Sequence, residues 1–521
     1  MPKRLWSGLA MLALGATLVA TAEAMPSGAA KQGGVFRVAI AGASVAIDPQ
    51  VSYVTTGWWL EYATAAKLLN YPDKRGQAGG LFRLEVASGY RISRDGKTYT
   101  FTIRKGFRFS DGSPVTARNF VYAFERARNA ELQSPAAEFT GDVAGVSARG
   151  DKFVIHLMKP DGGFLAKLTM PLFQATSTKV PLTKEVSGVN GIADLPTAGP
   201  YAFALNRVNQ QTRLVRNPYW KPGPGRRRPR NLTGLSIMWN ADQQAAYLQT
   251  LNNQYDEGPL PAANVEEVAQ RFGVNRTRFW TEPSACLGYV ALNNAEGIFA
   301  RNPALRKAVN WALDRTDYTA LAGPYAGQPW THILPPGVPG SVTVKTRQPY
   351  SARSNIAKAR KLAAGHFRTG KVVVAYPAGG DTRPLQAGLV RRDLIRLGFK
   401  AENITTVAFG AGVGGLPARW DLLSGVGGCG SDSDPGDFFQ SLPYFGSVEY
   451  QKQIAAAAKL YGNARLRAFG RLDLAMMRNS APVAPMRTYN NRFLFSDRVD
   501  PQSLVFQPVY ADWSIPALAL K

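Results

Sequence analysis

The segment from Lys371 to Val407 constrains the fold more than any other. KVVVAY is a continuous apolar run of strand length, RPLQAGLVRRDLIRLG is helical and stopped by Gly398, and FKAENITTV reads as a second strand. A strand, a helix and a strand in that order form a βαβ unit whose strands run parallel, which places this region in the α/β class. The chain around it has 521 residues, of which 45% are hydrophobic. That is more than one core holds, so two or three packed units are expected.

An earlier region has a different grammar. YTFTIRKG alternates Tyr99, Phe101 and Ile103 with Thr100, Thr102 and Arg104, which predicts a half-buried strand. A turn at Asp111 and Gly112 follows, then TARNFVYAFERARN, where Thr116 caps a helix with Phe120, Val121 and Phe124 on its apolar face. With the strand FVIHL at 153–157, these elements make one α+β unit over about residues 71–180. Farther on, Asn302 and Pro303 open a helix as N-cap and first-turn proline. The glycine-rich run from Gly410 to Gly430 is broken by RWDLL, which reads as a short strand emptying into a loop.

Lys3 and Arg4, an apolar stretch from Leu9 to Val19, and the triplet Ala22, Glu23, Ala24 have the layout of a cleavable export signal over residues 1–24. Export puts the two cysteines, Cys286 and Cys429, in an oxidising compartment. There they are a candidate disulfide or, alternatively, two buried thiols. The formal net charge of +26 favours acidic partners. Apart from Arg226, Arg227, Arg228 and Arg230, however, the cations are scattered, which reads as a solvated basic surface and not a nucleic-acid site.

Signatures of catalysis are missing. His156, His332 and His366 lack the spacing of a helical metal pair, and neither Gly-x-Ser-x-Gly nor Ser-x-x-Lys occurs. GHFRTGKV, residues 365–372, imitates a phosphate-binding loop. It ends in Val372 where a hydroxyl is needed, and it follows a helix and precedes a strand, the reverse of a working loop. The acidic string DSDPGDFF, with Asp432, Asp434 and Asp437, breaks calcium-loop spacing at Gly436. No metal, no cofactor and no catalytic residue is expected.

Laid out in order, the segments resemble the peptide/nickel family of importer-associated, extracellular solute-binding proteins, the oligopeptide- and dipeptide-binding class. The densest match is VASGYRISRDGKTYTFTIRKGFRFSDGSPVTARNFVYAFERARN, residues 86–129. Collinear with it are IDP at 47–49, TAGPYAF at 197–203, LVRNPYW at 214–220, NPALRKAVNWALDR, and the AKARKLAAG helix with the βαβ unit after it. The resemblance implies a two-lobed periplasmic-binding-protein type II fold with an extra α+β subdomain in lobe I. Lobe I would hold residues 31–70, 180–278 and 487–521, the subdomain 71–179, and lobe II 279–486. It also implies a disulfide joining ACLGYVALNN to GGCGSDSDP, where Cys286 and Cys429 stand.

In function, the resemblance implies capture of a peptide or peptide-like solute by lobe closure and delivery to the permease of an ABC importer. A monomer without nucleic-acid partners, in the periplasm or extracellular envelope, is expected. The alternatives are the same fold carrying a non-peptide solute and an exported enzyme acting on envelope polymers. Tyr53, Trp58 and Trp420 lie near the implied cleft, as pocket walls or as core. Peptide-binding relatives place an aspartate two residues after the loop cysteine, paired with the ligand's ammonium; here Ser431 occupies that place. Either Asp432 takes over, or the ligand lacks a free amino terminus.

Overall fold

In a computed structural model of the chain, residues 33–225, 229, 231–366, 371–410, 415–441 and 450–521 are described. The export signal at 1–24, the arginine cluster at 226–228 and 230, residues 367–370 of the phosphate-loop imitation and residues 411–414 of the glycine-rich run lie outside them.

Among the described residues, ten strands form the large sheet. In chain order they are β1 (Val35–Ala39), β2 (Tyr201–Arg207), β3 (Gln211–Arg216), β4 (Gly234–Met238), β5 (Glu257–Gly258), β6 (Phe279–Leu292), β7 (Val372–Pro377), β8 (Ile404–Phe409), β9 (Leu422–Cys429) and β10 (Val483–Phe495). Their spatial order is β8-β7-β9-β6-β10-β5-β1-β4-β3-β2. The helices include α1 (Thr55–Thr64), α2 (Ala117–Ala127), α3 (Pro303–Ala312), α4 (Thr382–Leu397) and α5 (Gly462–Asn479).

The βαβ unit is present, with β7 and β8 parallel and Val372 opposite Ile404. A separate antiparallel sheet joins Ala87–Ile92, Thr98–Ile103, Lys152–Leu157 and Val143–Arg149 in that spatial order. Helix α2 lies on it, with Phe120 and Phe124 5.7 and 5.9 Å from the Phe153 ring. At its start the Thr116 amide donates to Asn119 Oδ1 at 2.8 Å, the return half of a capping box. Asn302 caps α3 by accepting from the Leu305 amide.

The glycine-rich run corrects the sequence reading. RWDLL does not empty into a loop; β9 continues through Gly425, Gly427 and Gly428 to Cys429, paired antiparallel with β6. Glycine is tolerated there because neighbours leave no room for more. A Cβ on Gly427 would lie 2.8 Å from the Tyr489 hydroxyl and 2.9 Å from the Leu287 carbonyl oxygen.

Hydrophobic burial divides the molecule into two halves. One core gathers Phe36, Trp59, Tyr62, Phe120, Phe153 and Tyr201 with Trp280, Phe495 and Trp513. Two others draw only on residues between 285 and 486. Val290, Leu305, Val374 and Leu394 fill one face of the sheet, and Leu287, Tyr289, Phe438 and Phe469 fill the other. Alternation along β6 sends its side chains to both cores, which is why LGYVAL is apolar throughout. The chain passes between the halves along β6 and returns along β10. The β6–β10 ladder shifts register between Pro283 and Leu287, within that passage. Two strands with an interrupted ladder form a hinge that bends more readily than either packed half.

Next to the hinge, β5 lies between β10 and β1 and carries Glu257, whose Oε2 is buried without a hydrogen-bond partner. Burial pushes Asp512 up to about 7; burial and the Asp512 charge push Glu257 well above the usual carboxylate range. The folded protein therefore holds protons that the unfolded chain releases at about pH 4. Stability contributed by Asp512 is complete on the acid side of that value and is lost as pH rises towards about 7. Urea midpoints measured between about pH 5 and about pH 8 should fall, and Asp512→Asn should remove on the order of 2 kcal/mol of that fall, tempered by the partial exposure of this side chain.

Candidate functional site

Between the halves lies a cavity of about 220 Å³. Its first-half wall comes from Tyr53, Val54, Thr55 and Trp58 at the start of α1, with Pro508, Val509 and Ala511 near the carboxyl end. Ala285 and Cys286 of β6, with Cys429, Gly430 and Ser431 at the end of β9, close it from the other half. Cys286 and Cys429 stand directly opposite in the ladder and are joined as a disulfide, so the cross-link itself forms part of the wall.

Tyr53 and Ser431 meet across the seam, their hydroxyl oxygens 2.9 Å apart. Burial raises the Tyr53 phenol above its ordinary value, so this contact is between neutral groups. The ring lies edge-on to Trp58 at 5.4 Å, and the Trp58 indole donates to the Ser52 carbonyl at 3.0 Å. Trp58 is thereby a fixed back wall, while Tyr53 stays partly exposed. Trp420 is not brought to this cavity. It packs against the core containing Leu423 and Phe469, and its carbonyl accepts from Asn293 at 3.0 Å.

Asp432 turns away from the same cavity. Its side chain is buried, and its Oδ1 accepts from the Asp434 amide at 2.7 Å. It lines a neighbouring void of about 10 Å³ with Phe139, Asp161, Gly163, Lys167, Asp434, Asp437 and Arg465. Lys167 is 2.7 Å from Asp161 and Arg465 is 2.7 Å from Asp434, while Asp437 Oδ2 accepts from the Ser431 amide at 2.7 Å. Burial first, then the Asp437 and Asp434 charges, push Asp432 well above the usual carboxylate range. The acidic string thus serves the seam. Among the described residues no cluster has the make-up of a metal site.

Further polar contacts join the halves nearby. The Ser433 amide donates to the Tyr71 hydroxyl at 3.1 Å, the Gly162 amide to the Ala458 carbonyl at 3.0 Å, and Gln77 to the Ser341 carbonyl at 2.9 Å. Sequence reasoning passed over Pro508, Val509, Asp161, Lys167 and Arg465. Each belongs to an unremarkable local pattern and reaches the seam only because the two halves meet there.

Comparison with known proteins places this geometry. Residues 82–449 match the family model described as bacterial extracellular solute-binding proteins, family 5 middle. The probable D,D-dipeptide-binding periplasmic protein DdpA of Escherichia coli is 26% identical over 271 residues, 51% of each chain, so that match spans about half of the relative's length. The glutathione-binding protein GsiB of Salmonella typhimurium is 27% identical over 365 residues, 67% of each chain. Among solved structures, the periplasmic murein tripeptide binding protein MppA in its unliganded open form superposes with a TM-score of 0.76 at 19% identity, covering 95% of this chain and 99% of that one. The two halves are therefore the lobes of a type II periplasmic-binding-protein fold, and the four-stranded unit is its additional α+β subdomain.

Proposed function

The chain belongs to the family 5 bacterial extracellular solute-binding proteins, and from that premise we propose that it captures a peptide or peptide-like solute between its lobes and delivers it to the permease of an ABC importer. What most supports this reading is the cavity itself, walled by both halves, between which the described chain crosses along β6 and β10. Closure about those strands buries a solute and creates a surface that a permease can distinguish from the open form. The relatives are binding proteins, and the lobes hold the solute without altering it. Export to the envelope through cleavage after residue 24, and action as a monomer, belong to the same proposal.

A second reading concerns the solute's end group. Ser431 and Tyr53 offer hydroxyls where an ammonium would need a carboxylate, and Asp432 is turned into the seam. Burying an ammonium against neutral partners costs several kcal/mol. Peptides blocked at the amino terminus, or solutes lacking that group, fit the cavity better.

Calorimetry with matched free and N-acetylated peptides tests both readings. The acetylated member should bind more tightly by about tenfold, and Ser431→Asp should reverse that order. Failure of every peptide to bind would exclude peptide capture. A preference for the free amine in the parent protein would exclude the blocked-solute reading alone.

A further inference from the structure

We propose that closing the lobes takes up one proton at the seam cluster of Asp161, Lys167, Asp432, Asp434, Asp437 and Arg465, so that closure, and with it retention of the solute, weakens as the surroundings turn alkaline. Retention presupposes the solute capture proposed above; the proton uptake does not.

The cluster is assembled from both lobes. Asp161 precedes the short helix Phe164–Lys167 beside the first core and Lys167 ends it, whereas Asp432, Asp434, Asp437 and Arg465 come from the second lobe. Four carboxylates face two cations. Lys167 is engaged by Asp161, and Arg465 grips Asp434 through Nε and Nη2 at 2.7 and 2.8 Å. Asp437 accepts from the Ser431 amide. Asp432 retains 3% of its surface, and among the described residues no ion pair reaches it. The remaining polar groups around it are the phenols of Tyr62 and Tyr71, which Asp432 disfavours as anions, and Tyr53 beyond them.

The void beside it measures about 10 Å³, room for at most one water. Since Oδ1 already accepts from the Asp434 amide, the proton belongs on the other oxygen. Phe139, Gly163 and Lys167 of the first lobe cover this carboxyl, so opening the seam hydrates it and returns it towards its ordinary value. The joined seam then holds a proton that the parted seam releases. Joining is favoured while the medium is acid enough to supply that proton and is lost as pH rises through the raised value of the joined seam.

Hydrogen exchange on the solute-free protein reads this directly, since the amides of Gly162 and Ser433 bond across the seam. After correction for the intrinsic pH dependence of exchange, their protection should drop about tenfold between about pH 5.5 and about pH 8, while amides in the four-stranded sheet keep theirs. Asp432→Asn should leave the seam equally protected at both values. Should that variant not fold, Lys167→Met supplies the second test, because the Lys167 charge holds Asp432 down, so loss of the cation should carry the drop to higher pH. Equal protection at both values in the parent protein, high or low, overturns the proposal, as does an unchanged drop in a folded variant. No solute is used, so peptide binding can fail while this coupling stands, and the reverse.

Discussion

Replacing Arg126 with methionine is expected to destabilise the protein by about 3–5 kcal/mol, because it strips the cation from a buried pair and leaves the carboxylate behind. Arg126 and Asp48 have no exposed side-chain surface, and the guanidinium donates to both carboxylate oxygens at 2.8 and 2.9 Å. Its Nε also reaches the Pro181 carbonyl at 2.7 Å and its Nη2 the Lys184 carbonyl at 3.2 Å. Asp48 in turn accepts from the amides of Gln50 and Val186, both at 3.0 Å. One side chain on α2 thus fastens the additional subdomain to the segment after β1 and to the strap at 181–186. Arg126→Lys should recover little, since a single ammonium cannot span the carboxylate and the Pro181 carbonyl together. Urea unfolding followed by tryptophan fluorescence measures the loss. Combining Arg126→Met with Asp48→Asn should cost less than the two separate losses added, because the stranded charge is gone.

Breaking the disulfide should have an effect of the same order. Cys286 and Cys429 are 143 residues apart, and in the chain-entropy model a loop of that length is worth about 5 kcal/mol. The site depends on it as well. β9 runs through Gly425, Gly427 and Gly428 before it reaches Cys429, and glycines contribute no side-chain packing and gain the most freedom on release. Cys286→Ser with Cys429→Ser should therefore lower the unfolding midpoint and loosen Gly430 and Ser431, weakening solute affinity beyond what the stability loss alone predicts. Thiol titration of the unreduced, denatured parent should find no free thiol. A double serine variant with unchanged midpoint and affinity would refute the role assigned to the cross-link.

What could be read in advance followed from local chemistry. The strand–helix–strand segment at Lys371 to Val407 declared its parallel pairing, Thr116 and Asn302 marked where helices begin, and two cysteines in an exported chain admitted one intramolecular pairing. The course of β9 was hidden, because glycines carry no strand signal and its partner β6 lies more than a hundred residues earlier. The two residues of β5 are shorter than any periodicity can register. Trp420 and Trp58 stand alike in the sequence, and only packing sends the first to a core and the second to the cavity wall. Asp432 was legible as an acid near the cleft. Its direction was not, because the groups that bury it, Phe139 and Lys167, come from the opposite lobe.

The arrangement of the cores also orders events in time. The Trp59 indole donates to the Trp513 carbonyl, 454 residues away, and Phe495, Trp513 and Leu518 fill the same core as Phe36. A ribosome therefore delivers nearly the whole chain before the lobe it began can be finished, whereas the second lobe, its core drawn from residues between 285 and 486, has all its parts earlier. The lobe started first is completed last. Until Trp513 is made, the part of that core which Phe495, Trp513 and Leu518 fill stays open beside Trp59, so a chain that stops short presents apolar surface to chaperones and proteases.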